Sequence, residues 1–471
     1  MSTVVMPIVR IAVLADNRLT EIALPAELPL REILPAVQRL VAPSAGDDTD
    51  SADGSTARLS LAPVGGAPFS LDATLDTVGV VDGDLLALRP LPAGPAAPGI
   101  VEDIADAAVI FSASRLKPWG TAHIQRGALA AVVGLVLAAS GLAVTHRLVT
   151  GEPVGLLALG LIAVLTVLAA LLSRTRSAPA AMALSVAPLV PIAAALVLVV
   201  PGDFGPASLL LGAAGVTAWA LICLILPSSG DTDRGMAFFT AVAVVGAAVL
   251  VAAGIETVWQ LPFLSIGCGL ITTALLLTVS APQLSALWAR LPLPVIPAPG
   301  DPTPSALPQR VLEDLPRRVR VSDAHQTGFV AGAVLLAVLG SVAIAVRPET
   351  LTGWAWYVVA AIAVASILRA RVWDSAWCKA WLLAQPYLTA AVLLVCYAST
   401  GRYLAAFVAV LALAVLVLVW AVVALSPPIA SPDSYSLPVR RLVGFLASGI
   451  DASLIPIMAY LVGVFSWVLS R

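Results

Sequence analysis

Residues Gly127 to Val144 read GALAAVVGLVLAASGLAV, an apolar run with no charge in it. At 1.5 Å rise per residue, about 20 such residues cross the roughly 30 Å of bilayer hydrocarbon. A water-soluble protein could bury one helix this apolar. It would not bury eleven, and the pattern recurs about eleven times after residue 120. The runs predict spans near 125–145, 153–172, 178–200, 206–226, 236–255, 259–280, 327–346, 351–369, 380–398, 402–425 and 449–469. The chain therefore reads as a polytopic α-helical membrane protein.

Composition agrees: 59% of residues are hydrophobic and 11% charged, where a soluble domain carries about 25%. The net charge of -2 gives no basic footprint for a nucleic-acid partner. Residues 1–30 lack an apolar core followed by a cleavage site, so the first span is expected to be internal. Cys223, Cys268, Cys378 and Cys396 show no CxxC spacing and read as small packing residues, neither disulfide nor zinc ligands.

Residues 1–90 carry a different pattern. Val9, Ile11 and Val13 alternate with polar or small neighbours, Asp16-Asn17-Arg18 is turn chemistry, and Thr20, Ile22 and Leu24 alternate again. Ile33, Val37, Leu40 and Val41 then recur at helical spacing. Pro35 is awkward inside a helix, so the helix is expected to start near Ile33 with the proline in its first turn. Asp47 to Ser55 reads as a solvated loop, without calcium-loop spacing. Leu59 and Leu61 mark a strand, Leu71, Leu75 and Val78 are core candidates, and Val80 to Leu88 is a turn feeding a last strand. Hairpin, helix, strand, turn, strand is the order of a ubiquitin-like α+β domain. The chain continues past it, so a docking module is implied and not a conjugating tail.

Residues 91–124 are expected to be a linker. Leu91 to Gly99 is rich in proline, glycine and alanine, and semi-extended. Ile100, Ile104, Ala108 and Phe111 follow at helical spacing and predict a short amphipathic helix, for the membrane surface or a partner. Arg115, Lys117 and Trp119 suit the headgroup layer. The membrane domain is expected over 125–471.

Lysine and arginine counts in the loops orient the array. Outside the head, sixteen lie on the head's side (Arg115, Lys117, Arg126, Arg174, Arg176, Arg234, Arg290, Arg310, Arg317, Arg318, Arg320, Arg369, Arg371, Lys379, Arg440, Arg441) and four opposite (Arg147, Arg347, Arg402, Arg471). The head and N-terminus are thus expected in the cytoplasm and the C-terminus outside. A long cytoplasmic loop is predicted at 281–326, with nine of the 36 prolines. Arg317, Arg318 and Arg320 in it are candidates for contact with a partner domain or anionic lipid, or plain solvated charges.

No ionisable residue is expected at the centre of a span: Glu256, Asp374 and Asp451 read as end or loop positions, and His123, His146 and His325 as interfacial. Ion-coupled carriers need ionisable groups at depth, and a hydrolase needs a nucleophile, base and orienter together. Neither constellation is visible, so no enzyme is expected. Small residues at spacing four are candidate helix–helix contacts, in particular Gly127 with Ala131 and Gly328 with Gly332, and also Gly151 with Gly155, Ser265 with Gly269, and Ala459 with Gly463. Pro188, Pro191, Pro262, Pro386 and Pro456 are expected to kink their helices.

A ubiquitin-like head, a tether helix, and spans divided six and five by a proline-rich loop resemble the EccD family of mycobacterial and actinobacterial type VII (ESX) secretion systems. The runs PLREILPAVQRLV near Pro29 and TLDTVGVVDGDLLALRP near Thr74 carry that resemblance locally. Within the family the head fits the paralogue of the iron-linked ESX system. The resemblance implies an inner-membrane structural subunit that forms a homodimer around a lipid-lined vestibule. It implies partners EccB, EccE and the EccC ATPase, with the ubiquitin-like head touching EccC. It implies no cofactor beyond bound lipids. The absence of a GxxxxGK[ST] phosphate loop agrees, since energy would come from EccC. The competing reading is a solute transporter of major-facilitator type, which has a similar outline. Against it stand the odd span count and Ser173-Arg174-Thr175-Arg176, which lacks the Gly/Asp/Arg signature of such carriers after span two.

Overall fold

The computed structural model describes residues 7–15, 18–41, 59–64, 66–90, 119–174, 178–226, 233–291, 309–426 and 436–470. The chain divides into a head unit and a membrane unit, the latter starting at Thr121.

The head is built from β1 (Ile8–Ala15), β2 (Arg18–Pro25), α1 (Leu30–Val41), β3 (Leu59–Pro63) and β4 (Leu85–Pro90). β1 and β2 pair antiparallel from Ile8↔Pro25 to Ala15↔Arg18. β4 lies parallel to β1 and antiparallel to β3, giving the sheet order β2-β1-β4-β3. Alternation turns Ile11, Val13, Ile22 and Leu24 inward, where α1 covers them with Leu30, Ile33, Leu34, Val37 and Val41. Each such side chain, fully buried, contributes about 1.5–3 kcal/mol. The Val81–Asp84 turn locks β4 to β1: Asp82 Oδ1 accepts the Arg10 amide at 2.6 Å, and the Gly83 amide donates to the Arg10 carbonyl at 2.8 Å. Gly83 has φ +91°, which a side chain would oppose. The head is ubiquitin-like, as its sequence order predicts.

One boundary differs. α1 starts at Leu30, three residues before the expected start, and holds Pro35 in its interior. A helix end leaves amide donors without partners. Here the Leu30 and Arg31 amides donate to the carbonyls of Ala73 and Leu71, both at 2.9 Å, so a neighbouring segment completes the first turn. Pro35 then costs only the one bond to Arg31. The Asp47–Ser55 loop and the 91–118 linker, with Ile104 and Phe111, lie outside the described residues.

Eleven helices among the described residues are long and apolar enough to cross a membrane: His123–Thr150, Pro153–Ser173, Ala180–Val199, Pro206–Ile225, Asp233–Trp259, Phe263–Trp288, Glu313–Ala345, Gly353–Val372, Ala376–Ser399, Tyr403–Leu425 and Arg441–Leu461, here spans 1 to 11. The chain is a multi-pass membrane protein. Span 7 is the core of the array, with 78% of its apolar stretch buried, whereas span 10 has 6%.

The expected 281–326 loop is shorter than predicted. The span 6 helix runs on to Trp288 and the span 7 helix begins at Gln309, so Pro282 and Pro316 lie within helices. Once a helix is nucleated in the membrane, each further residue adds a bond without new nucleation. Residues 292–308 lie outside the described set. Span 11 is also displaced: its helix starts at Leu437 and stops at Leu461, and Gly463, at φ +81°, ends it before a short helix Val464–Leu469. Pro188 breaks span 3 between Val186 and Leu189, and Pro191 sits in the first turn of the second piece, where no donor is missed. Pro262 caps span 6 from outside and does not kink it, while Pro386 and Pro456 lie inside continuous helices.

Candidate functional site

The distinctive geometry of the membrane unit is close backbone packing around span 7. A Cβ built on Gly340 would lie 2.7 Å from the Gly267 carbonyl oxygen, and one built on Gly267 would lie 2.7 Å from the Gly340 carbonyl oxygen. Spans 6 and 7 therefore touch main chain to main chain, which only a missing side chain on both sides permits. Gly328 and Gly332 set span 7 against span 5: added Cβ atoms would meet Thr240 Cβ at 2.5 Å and Val244 Cγ1 at 2.8 Å. These two glycines thus serve packing within the chain. Gly127 and Ala131 are exposed on span 1, and Gly127 has nothing within 4 Å of an added Cβ. Gly155 packs on the Ala143 carbonyl of span 1, whereas Gly151 (φ +70°) and Gly463 serve turns and a Cβ added at Gly269 would meet nothing within 4 Å.

Ionisable groups were expected to avoid the span centres, and at Asp451 the structure differs. Asp451 sits midway between Arg441 and Leu461, so it is not an end residue. It accepts a two-pronged contact from Arg369, Nε to Oδ2 at 3.1 Å and Nη2 to Oδ1 at 2.7 Å. Two residues on, Ser453 Oγ meets Tyr357 Oη of span 8 at 2.6 Å. Spans 8 and 11 are thus joined by an ion pair and a hydroxyl pair. His325, expected at the interface, is buried among protein side chains: its Nδ1 lies 2.8 Å from Thr240 Oγ1, and its ring stacks edge-on to Trp288 at 5.4 Å. Gln385, fully buried in span 9, donates to Thr389 at 3.2 Å. Tyr397 of the same helix donates to the Ala345 carbonyl at the end of span 7, at 2.6 Å. Sequence reading named Asp451 and His325 but not their partners, and missed Gln385 and Tyr397, because single polar residues in apolar runs carry no period.

The arginine cluster fans out around its helix. Arg318 Nη1 donates to the Arg290 carbonyl at 2.6 Å, closing the end of the span 6 helix. Arg317 is exposed, and Arg320 lines a cavity with Arg234 and Asp323. His146 lies 3.9 Å from Glu152 at the other side of the array. Among the described residues no group of three His, Cys, Asp or Glu could hold a metal ion, and the four cysteines are free.

The model of the EccD-like transmembrane domain matches residues 125–470, nearly three-quarters of the chain. The chain belongs to the EccD family. A second model, WXG100 protein secretion system protein YukD, matches residues 8–88, the ubiquitin-like head of this EccD. The chain is 72% identical to the ESX-3 secretion system protein EccD3 of Mycobacterium tuberculosis, over all of both chains. It is 61% identical to the protein of the same name from Mycolicibacterium smegmatis, over 99% of each. Among solved structures it resembles a chain of protomer 1 of the ESX-3 core complex, at 60% identity and TM-score 0.70, covering 98% of this chain and all of that one. EccD proteins are structural membrane components of ESX secretion systems, not enzymes.

Proposed function

We propose that this EccD is a structural subunit of a type VII (ESX) inner-membrane complex of the ESX-3 kind. Full-length identity of 72% with EccD3 carries the reading, since it spans head and array together. In that role the chain forms a homodimer through its spans and docks the EccC ATPase with its ubiquitin-like head, alongside EccB and EccE. The head and N-terminus face the cytoplasm and the C-terminus the periplasm. The sixteen-to-four arginine and lysine bias supports this orientation. The exposed Gly127 and Ala131 face of span 1 suits close approach of a second helix, and lipids fill the remaining apolar surface. The linker residues Ile104 and Phe111 and the exposed Arg317 are the proposed partner contacts. The family match displaces the solute-carrier reading.

Affinity purification of the tagged chain from a mycobacterial membrane, followed by native mass measurement, tests the assembly. Two copies with EccB, EccC and EccE are expected, and a solitary chain overturns the role. Removing residues 1–90 should leave insertion intact and deplete EccC from the purified complex. Undiminished EccC would show that the head is not the dock.

A further inference from the structure

Spans 3, 4, 5, 7 and 9 leave a cavity of about 1100 Å³ between them, formed by one chain. That is slightly above the roughly 300–1,000 Å³ of ordinary ligand pockets. Its two ends differ. At one end stand Asp233, Arg234, Arg320 and Asp323; beyond them, Thr327 and Ser375 apart, the wall is apolar as far as Val249 on span 5 and Leu335 on span 7. From Arg234 to Val249, and from Arg320 to Leu335, the helix rises about 22 Å. The shaft therefore reaches past the middle of a hydrocarbon layer about 30 Å thick. Trp377 and Trp381 line it too, a residue type suited to headgroup depth. Among the described residues none of the four charged side chains forms an ion pair or a side-chain hydrogen bond.

An apolar shaft with a charged mouth takes an amphiphile, and the charges say which. Two guanidiniums suit a phosphate, as charge-assisted donors. Two carboxylates beside them repel a second anion and suit a cation able to donate hydrogen bonds. A headgroup with phosphate alone leaves the aspartates facing like charge, and a quaternary ammonium has no N–H to give them.

We propose that this cavity holds one phospholipid bearing a primary ammonium. Its phosphate lies against Arg234 and Arg320, its ammonium against Asp233 and Asp323, and acyl chain fills the shaft along spans 5 and 7.

The test uses the full chain, delipidated in detergent and titrated with dioleoyl phosphatidylethanolamine, phosphatidylglycerol or phosphatidylcholine, with bound lipid read by native mass spectrometry. The ethanolamine lipid should be retained about tenfold better than the other two. Arg234→Gln with Arg320→Gln should lower its retention about tenfold or more, from loss of charge-assisted bonds. Asp233→Asn with Asp323→Asn should keep lipid bound but erase the preference for ethanolamine over glycerol. All four are exposed positions, so unchanged elution and unfolding temperature are expected and confirm that the variants fold. A photo-crosslinker at Val245, in the shaft, should capture lipid in cells. Equal retention of the three lipids, undiminished binding by the arginine variant, or capture of a peptide at Val245 would each overturn the site.

Discussion

Span 10 is the more apolar of two helices, with a mean hydropathy of 3.1 against 2.4 for span 7, yet span 7 is buried and span 10 is not. In water the ranking would be reversed, because burial there removes apolar surface from solvent. In lipid no such drive exists, since the surrounding tails are as apolar as leucine. What selects the centre is the ability to pack. Span 7 supplies Gly328, Gly332 and Gly340 for contacts that a Cβ would block, and Ala331, Ala333 and Ala337 between them. Span 10 presents Leu404, Phe407, Leu411, Leu418 and Trp420 outward, a surface suited to acyl chains. The head obeys the other rule: its large aliphatic residues, Ile11, Leu30, Leu61 and Leu75, are the ones fully buried.

Several substitutions would sharpen or break this contrast. The largest effect is expected from Gly340→Leu, which has no room beside the Gly267 carbonyl. Overpacking commonly costs about 1–3 kcal/mol, and more where backbone must move. The variant should lose its monodisperse elution in mild detergent; a wild-type profile would mean that spans 6 and 7 are not welded there. Next is Asp451→Asn, which strands Arg369. Breaking a buried pair costs about 3–5 kcal/mol and an exposed one about 1 or less. With side chains 16% and 35% exposed, this pair should fall between, at about 2 kcal/mol in thermal unfolding. Arg369→Met combined with Asp451→Leu should recover part of that loss, and no recovery would assign the damage to something other than the stranded charge.

A smaller change is expected from Thr240→Val, which removes the hydroxyl partner of His325. Hydrogen bonds between membrane helices average about 0.6 kcal/mol, so a shift of that order should appear in reversible unfolding. Smallest of all is Leu411→Ala on the lipid-facing side of span 10, where unfolding should move by less than about 0.5 kcal/mol. A large loss there would mean that span 10 is covered in the assembly and that its exposure in one chain misleads.

Much of this architecture was legible in the sequence. Ten of the spans follow from charge-free runs long enough to cross the bilayer, and the head topology from alternation at Val9–Val13 and the Val80–Leu88 turn. The eleventh was expected at 449–469 and lies at Arg441–Leu461, because Arg440 and Arg441 look like a loop although the helix passes straight through them. Its displaced start is what disguised Asp451 as an end residue. The 281–326 segment failed for a related reason: hydropathy marks where lipid ends, whereas a helix can continue into polar surroundings. Pairings such as Gly267 with Gly340 were out of reach, since spacing along one helix says nothing about which helix lies opposite.

The glycine-to-glycine seam has a consequence for how the array tolerates change. Gly267 and Gly340 come from the two sides of the connection at residues 292–308, so the sixth and seventh crossings hold each other directly. The first and second halves of the array are thereby clasped by their own backbones, whatever the length of the strap between them. Insertions, or even a cut, at that point should be forgiven, while a single methyl at either glycine should not.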